Sequence, residues 1–437
     1  MSPRPRALRA SARALAGALL IPASLLLSAT AIQAADERPA EPLRSFQELV
    51  DATPEGGVLE PAPGVYAGPV VVRHPIRIDG GGGVTIDAGG HGTVVRIAAS
   101  GVVLRGLRLV GSGSNHDTVD AGVQVAGSDN LVEDNSIEDC LFGVDLAQSN
   151  ENVVKGNRIH SKNMEMGMRG DAIRLWYSFR NAIVENDISD ARDIVVWYSA
   201  DNHFTRNRVV RSRYALHTMY AQKNIIEDNE YRDNMAGIFL MYSDGVEIRR
   251  NRILGAQGAT GIGIGMKETS NVTVEDNWIV YCAQGIYLDV SPYEPGETNR
   301  FFRNQIAYNG VGVTLHSDWQ DNIFEDNEFR GNFVQVAVRG GGSALRNTWA
   351  RNYWDDYEGF DRDRDGTGDT PYELRAFADR IWLEIPEASL FRASPVLEVI
   401  DFLDRLAPFS EPTLILRDAA PRFERPQGSG SQFPGGA

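Results

Sequence analysis

The chain has 437 residues, 42% of them hydrophobic, with 43 basic against 59 acidic side chains and a formal charge of −16. That apolar content is enough for a folded core and excludes a wholly disordered chain. So negative a protein repels polyanions, which argues against nucleic acid and against pectin or alginate as a ligand, and favours cations.

Residues 1–34 read as an export signal. Arg4, Arg6, Arg9 and Arg13 precede an apolar stretch from Ala14 to Leu27, and Ile32-Gln33-Ala34 offers a small residue before a cleavage point. A membrane anchor is the competing reading, but Gly17 and Pro22 interrupt a run too short to span a bilayer. No twin arginine is present, so the chain is expected to be exported unfolded and to take up any metal outside the cytoplasm. Removing the segment costs four arginines and no acid, which moves the formal charge from −16 to −20.

Residues 35–63 read as a cap. Ser45 before Phe46, Leu49 and Val50 predicts a short helix over the first coil of a solenoid, whose open end would otherwise expose a sheet edge. Residues 64–356 predict the solenoid itself. From Gly64 to Val110 the strands are present, with Gly80 to Gly83, Gly89 and Gly90 making the corners.

Ten asparagines then recur, each after a short β-branched run: Asn135, Asn157, Asn186, Asn207, Asn229, Asn251, Asn277, Asn304, Asn327 and Asn352. Their spacings are 22, 29, 21, 22, 22, 26, 27, 23 and 25 residues, a coil of about 22 lengthened by occasional loops. Between them lie Gly122-Val123-Gln124-Val125, Gly143-Val144-Asp145-Leu146, Ala172-Ile173-Arg174-Leu175, Gly237-Ile238-Phe239-Leu240 and Gly285-Ile286-Tyr287-Leu288. These alternate with period two, as strands with one buried face do. The fold class is therefore all-β, a right-handed parallel β-helix, with the asparagines expected in the left-handed region at a corner and stacked as an internal ladder. Turn asparagines of an antiparallel sandwich would not keep this phase through ten repeats.

Cys140 and Cys282 each sit five residues after a ladder asparagine, on coils six rungs apart. At about 4.8 Å per rung they are about 29 Å apart, far beyond disulfide reach, and two buried thiols are expected. Residues 357–410 follow as an aspartate-rich loop and a helical segment, where Ser394-Pro395 starts an amphipathic helix to Ala407 through Val396, Ile400, Leu403 and Leu406. Residues 411–437, rich in proline, glycine and serine, are expected to be disordered.

Two places carry candidate chemistry. Aligning Trp176-Tyr177-Ser178, Trp197-Tyr198-Ser199, Met219-Tyr220-Ala221 and Met241-Tyr242-Ser243 stacks Trp176, Trp197, Met219 and Met241 in one outward file. Two residues earlier a parallel file reads Arg174, Val195, His217 and Phe239, with Tyr287, Asp289 and His316 nearby on later coils. An exposed apolar stripe is a docking face, unless a loop covers it and makes it core. Thioether and imidazole are also the ligands that select copper(I), so His217, Met219 and Met241 form a candidate transfer site, with Met164, Met166 and Met168 in the longest loop able to lie over it. Asp361, Asp363, Asp365 and Asp369 stand at positions one, three, five and nine of a calcium-like loop, which calcium or magnesium would suit, although position twelve is Tyr372 instead of glutamate. The competing reading is a solvated turn. No catalytic constellation is apparent: Asp355-Asp356 lies beyond the last coil, and the Asp-Pro-His-Glu motif of alginate epimerases is absent.

The export signal, the asparagine-ladder coils, the series Arg174-Leu175-Trp176-Tyr177-Ser178, Leu216-His217-Thr218-Met219-Tyr220 and Leu240-Met241-Tyr242-Ser243, and the ending Asn352-Tyr353-Trp354-Asp355-Asp356-Tyr357-Glu358-Gly359-Phe360-Asp361 together resemble the NosD family. The likeness runs from about residue 40 to 407, although the methionine loop is not part of its pattern. Coils alone are shared with lyases and epimerases; the Met-Tyr-Ser strands and the Asn-Tyr-Trp-Asp-Asp ending are more specific. The resemblance implies a non-enzymatic periplasmic protein, seated on an ABC transporter of ATPase and membrane subunits. It would help insert copper into nitrous oxide reductase after receiving the metal from a lipoprotein copper chaperone. The Met/Tyr face, including Tyr177, Tyr198, Tyr220 and Tyr242, would meet the chaperone or the apo-enzyme, and the C-terminal helix the transporter. The alternative on the same fold is a lyase or epimerase acting on an extracellular uronate polymer.

Overall fold

A computed structural model describes residues 43–376, except 259 and 260, and residues 413–426. The export signal at 1–34 and the helix expected at 395–407 lie outside the described residues. Helix α1, Phe46–Ala52, follows Ser45, but the serine side chain makes no capping hydrogen bond. The helix is held instead by Phe46 and Val50, both fully buried, with Phe46 edge-on to Tyr66 at 5.4 Å. Coil strands begin earlier than residue 64: Arg44–Ser45 pairs with Gly64–Ala67, and Val58–Leu59 pairs with Arg77–Asp87.

Twelve parallel strands stack into one sheet in chain order. They are β1 Val70–Val72, β2 Val95–Ile97, β3 Ala121–Val125, β4 Phe142–Ala147, β5 Ile173–Trp176 and β6 Asp193–Trp197. The stack continues with β7 Tyr214–Met219, β8 Ala236–Met241, β9 Ile262–Lys267, β10 Gln284–Asp289, β11 Val311–His316 and β12 Val334–Arg339. The other strands of each coil stack the same way, as Leu131–Glu133, Val153–Lys155 and Ala182–Val184 do. The predicted apolar pairs, such as Ile173 with Leu175 and Ile238 with Leu240, are fully buried. Each buried aliphatic side chain of this kind is worth about 1.5–3 kcal/mol, so the core is a sum of nearly equal rungs.

All ten asparagines form one continuous ladder. In each step the Oδ1 of one asparagine accepts both the backbone N–H and the Nδ2 of the preceding one, as Asn229 does from Asn207 at 2.8 and 3.1 Å. The expectation that asparagine itself takes the left-handed backbone is corrected. The residue before it does so, as at Asp134, Glu185, Arg206, Asp228 and Arg250, all with φ between 53° and 56°. That turn aims the next side chain inward, where an amide with both donor and acceptor satisfies two coils at once. A second ladder, Asn130, Asn152, Asn181, Asn202 and Asn224, runs along another corner.

Cys140 and Cys282 are free and buried. Burial pushes their thiols up to about 11 and about 12, so neither is a thiolate at neutral pH. A thiol reagent is expected to label no cysteine in the native protein and two after denaturation; an intramolecular bridge in the mass spectrum would break the coil register.

The C-terminal end corrects a further expectation. Residues 411–437 were expected to be disordered, yet Thr413–Asp418 forms a strand antiparallel to Tyr372–Ala376. Its apolar Leu416 is fully buried, and the fully buried Asp418 terminates the main ladder by accepting the Asn352 N–H at 3.0 Å, its Nδ2 at 3.1 Å and the Trp354 Nε1 at 3.2 Å. A six-residue strand bounded by proline-rich sequence has too short a period to be read locally. Trp354 stacks between Phe329 at 4.2 Å and Tyr372 at 4.4 Å. The Asn-Tyr-Trp ending is thus the lid of the core.

Candidate functional site

On β5 to β8, Trp176, Trp197, Met219 and Met241 are register partners in one file, and Arg174, Val195, His217 and Phe239 in the next. Leu175, Val196, Thr218 and Leu240 between them are fully buried, so strand alternation turns both files outward. Trp176 and Trp197 meet edge-to-face at 5.7 Å. Tyr177, Tyr198, Tyr220 and Tyr242 come next, each with φ between 47° and 51°, and their rings stack at 4.9, 5.2 and 4.7 Å. The residues after them, Ser178, Ser199, Ala221 and Ser243, turn inward and build the corner: Ser178 donates its backbone N–H to the Ser199 Oγ at 2.9 Å. The Tyr-Ser phrase is therefore partly architectural, with tyrosine outside and serine inside.

The stripe is less open than its sequence suggests. Trp176, Trp197, Met219 and Met241 are half-buried and Val195 is buried, while Tyr177 and Tyr220 are exposed at 44% and 45%. The tyrosine edges are the part that meets solvent.

His217 lies at the centre. Tyr214 stacks on its ring at 4.9 Å and Phe239 stands edge-on at 6.4 Å. Its Nε2 is 3.4 Å from the Met241 Sδ, while Nδ1 is buried with no hydrogen-bond partner, as is the Trp197 Nε1. Burial holds the imidazole below its ordinary pKa; Asp193 opposes this and Arg213 reinforces it. The ring is accordingly neutral near pH 7 and keeps a lone pair for a metal. The His217 Nε2 and the Met241 Sδ are near enough that both could hold one soft ion. Met219 is one rung from Met241, about 4.8 Å along the stack. The donors present therefore fit a soft ion.

Buried ion pairs brace the approach to this face. Arg174 donates to Asp145 at 2.8 Å, and Arg192 grips Asp171 through two bonds of 2.9 and 3.1 Å. Burial raises both carboxyls, Asp171 to about 6, against the pull of their arginines. Arg213 pairs with Asp193 and lies over the Tyr214 ring at 5.1 Å, linking the acid to the ring that stacks on His217. Sequence reasoning passed over Tyr214 and Asp193, whose role comes from the bulge between Asp193 and Val195 that shifts the strand register.

The methionine loop goes elsewhere. Met164 packs on Ala121, Leu141 and Phe142, and the Met168 carbonyl lies 3.1 Å from the His116 Nε2. Met166 and Met168 begin and end a single 3-10 turn. These contacts are with β3, β4 and the residues just before them, four and three rungs before the strand of His217. In the aspartate loop, ligand oxygens of Asp361, Asp363 and Asp365 lie within 4.8 Å of one another. Asp369 is not in that group; its Oδ2 accepts the Arg362 N–H at 2.7 Å. Among the described residues no helix is long and apolar enough to cross a membrane.

Comparison with known proteins sets this face in context. A family model described as "Periplasmic copper-binding protein (NosD)" matches residues 161–359, which include His217, Met219 and Met241. Another, "Right handed beta helix region", matches residues 74–188. A Pseudomonas aeruginosa protein named "Probable ABC transporter binding protein NosD" is 30% identical over 451 aligned positions, covering 95% of this chain and 98% of its own length. A Stutzerimonas stutzeri protein of the same name is 28% identical over 360 positions, covering 79% and 82%. Among solved structures, the A-module of the Azotobacter vinelandii mannuronan C-5 epimerase AlgE6 matches with a TM-score of 0.50 at 18% identity, over 69% of this chain and 92% of its own. That likeness is one of fold.

Proposed function

The chain belongs to the NosD family, and from that membership we propose that its central outer face carries copper(I) in transit to the copper site of nitrous oxide reductase. Family members are described as periplasmic copper-binding proteins. The observation that carries the reading is the pairing of a neutral, half-buried imidazole with a thioether at 3.4 Å, in an outer file that holds a second methionine. Imidazole and thioether favour copper(I) over hard cations. Ligation from one side leaves the solvent face for a partner's ligands. His217 and the methionines would bind the ion before a delivering protein's ligands let go, and an acceptor would add its own ligands before His217 and the methionines release it, so the ion would never be bare.

In this reading copper is cargo, and the chain performs no covalent step. Trp176 and Trp197 with Tyr177, Tyr198, Tyr220 and Tyr242 form the docking surface for a lipoprotein copper chaperone or for the apo-reductase, since large aromatics anchor interfaces. An ABC transporter is the proposed membrane partner, supported by the name its relatives carry. The aspartate loop is proposed as a separate hard-cation site of calcium or magnesium type, on the convergence of its first three carboxylates.

Copurification from periplasm plus membrane tests the partners: a transporter and a copper protein should accompany the wild type. Trp176→Ala with Trp197→Ala is expected to weaken that capture at least tenfold while changing copper(I) affinity less than threefold. Equal losses of both would mean that the tryptophans shape the metal site and do not dock a partner.

A further inference from the structure

Beyond Met241 the outer file changes from apolar to charged. Its next members, register partners on β9 to β12, are Lys267, Asp289, His316 and Arg339. Tyr287 and Thr314 adjoin them as partners in the second outer file. His316 and Asp289 are hydrogen-bonded at 3.0 Å through the imidazole Nδ1. A carboxylate only accepts, so Nδ1 holds the proton and Nε2 is left as an acceptor on the open side when the ring is neutral. Asp289 is the more enclosed of the two, its side chain 18% exposed against 50% for His316.

Two features are unexplained by packing. The Thr314 side chain is fully buried on this outward file, yet its Oγ1 has no hydrogen-bond partner. A buried hydroxyl left in that state costs free energy unless something meets it. Further, among the described residues neither Lys267 nor Arg339 has a carboxylate within ion-pair reach, although the chain carries 59 acids and pairs most other arginines of its coils. The two cations bracket the Asp289–His316 pair, one rung to either side. Burial and then Asp289 push the Tyr287 phenol up, with Arg339 opposing, so it remains a donor.

We propose that Tyr287, Asp289, Thr314 and His316, flanked by Lys267 and Arg339, form a second ligand site for a short hydroxylated carboxylate of the uronate-sugar class. The two cations, with no ion-pair partner among the described residues, favour an anionic group, and a carboxylate is one that such a pair holds. Asp289 and the His316 Nε2 are acceptors that need ligand hydroxyls, and Tyr287 and Thr314 supply donors to ring or hydroxyl oxygens. Neither a purely anionic nor a purely neutral molecule would satisfy both halves. The net charge of −16 opposes a long polyanion, which limits the ligand to a few units. The site shares no ligand with the copper face, and its reality does not depend on that reading.

Titration of the intact mature protein by calorimetry tests it with three probes. Trigalacturonate should bind saturably; maltotriose, with hydroxyls but no carboxylate, and tricarballylate, with carboxylates but no hydroxyls, should each bind at least tenfold more weakly. Lys267→Ala with Arg339→Ala should weaken trigalacturonate at least tenfold. Thr314→Val, which removes the orphan hydroxyl and keeps the shape, should weaken it severalfold while leaving the melting temperature equal or higher. The proposal is overturned if trigalacturonate shows no saturation up to about 10 mM, if either control binds as well, or if folded variants bind as tightly as the parent.

Discussion

A variant carrying His217→Ala, Met219→Leu and Met241→Leu is expected to fold normally and yet leave nitrous oxide reductase without copper. The leucines keep the volume of the half-buried methionines, and such swaps cost under about 1.5 kcal/mol each. Removing the imidazole leaves a gap between Tyr214 and Phe239, but it also removes a buried nitrogen that has no partner, so these effects offset one another. Copper(I) affinity against a competing chelator should fall at least a hundredfold, about 2.7 kcal/mol. Because burial holds His217 below its ordinary pKa, wild-type binding should persist as the pH drops through about 6.5, where an exposed histidine is half protonated and being lost as a ligand. A fully loaded reductase in cells carrying the triple variant would place the site elsewhere, with the methionine loop against His116 the next candidate.

The second large effect is structural. Asn229→Ala removes the acceptor for the Asn207 N–H and Nδ2 and the donor to the Phe204 carbonyl and the Asn251 Oδ1, bonds of 2.8, 3.1, 2.9 and 2.9 Å. Water cannot replace the buried amide; the Asn207 Nδ2 still reaches the Ile183 carbonyl and the Asn251 Oδ1 still accepts the backbone N–H of residue 229, so at about 1–3 kcal/mol for each of the two groups left stranded the loss should reach about 2–6 kcal/mol. Asn229→Asp should cost nearly as much, since a carboxylate keeps the acceptors but loses both donated bonds. In a stack where each coil touches only its neighbours, opening should centre on the coils around Asn229, visible as local loss of amide-exchange protection. A cost below about 1 kcal/mol would mean that the aliphatic rungs alone hold the coils.

Much of this architecture was legible because it is periodic. Stacking turns a residue spacing into a contact, so Asn135 to Asn352 could be aligned into a ladder and Met219 into a file with Met241 without any coordinates. Features that break the period were not legible. Asp418 meets Asn352 across 66 residues with no repeat to announce it. The bulge at Asp193 brings Tyr214 onto His217 only because the register slips. The methionine loop was assigned to the wrong neighbours because insertions have no phase. Tyr287, Asp289 and His316 were seen to lie near the face, but the cations that bracket them come from coils one rung further on either side.

The proposed copper(I) site is the outer face of β7 and β8, with one imidazole and neighbouring thioethers as ligands. X-ray absorption of the copper(I)-loaded mature protein measures this most directly. The expected spectrum contains sulfur scatterers at about 2.3 Å with nitrogen at about 2.0 Å, and His217→Ala should remove the imidazole contribution while the sulfur shell remains. A first shell of oxygen and nitrogen alone, unchanged by His217→Ala and Met241→Leu, would contradict it.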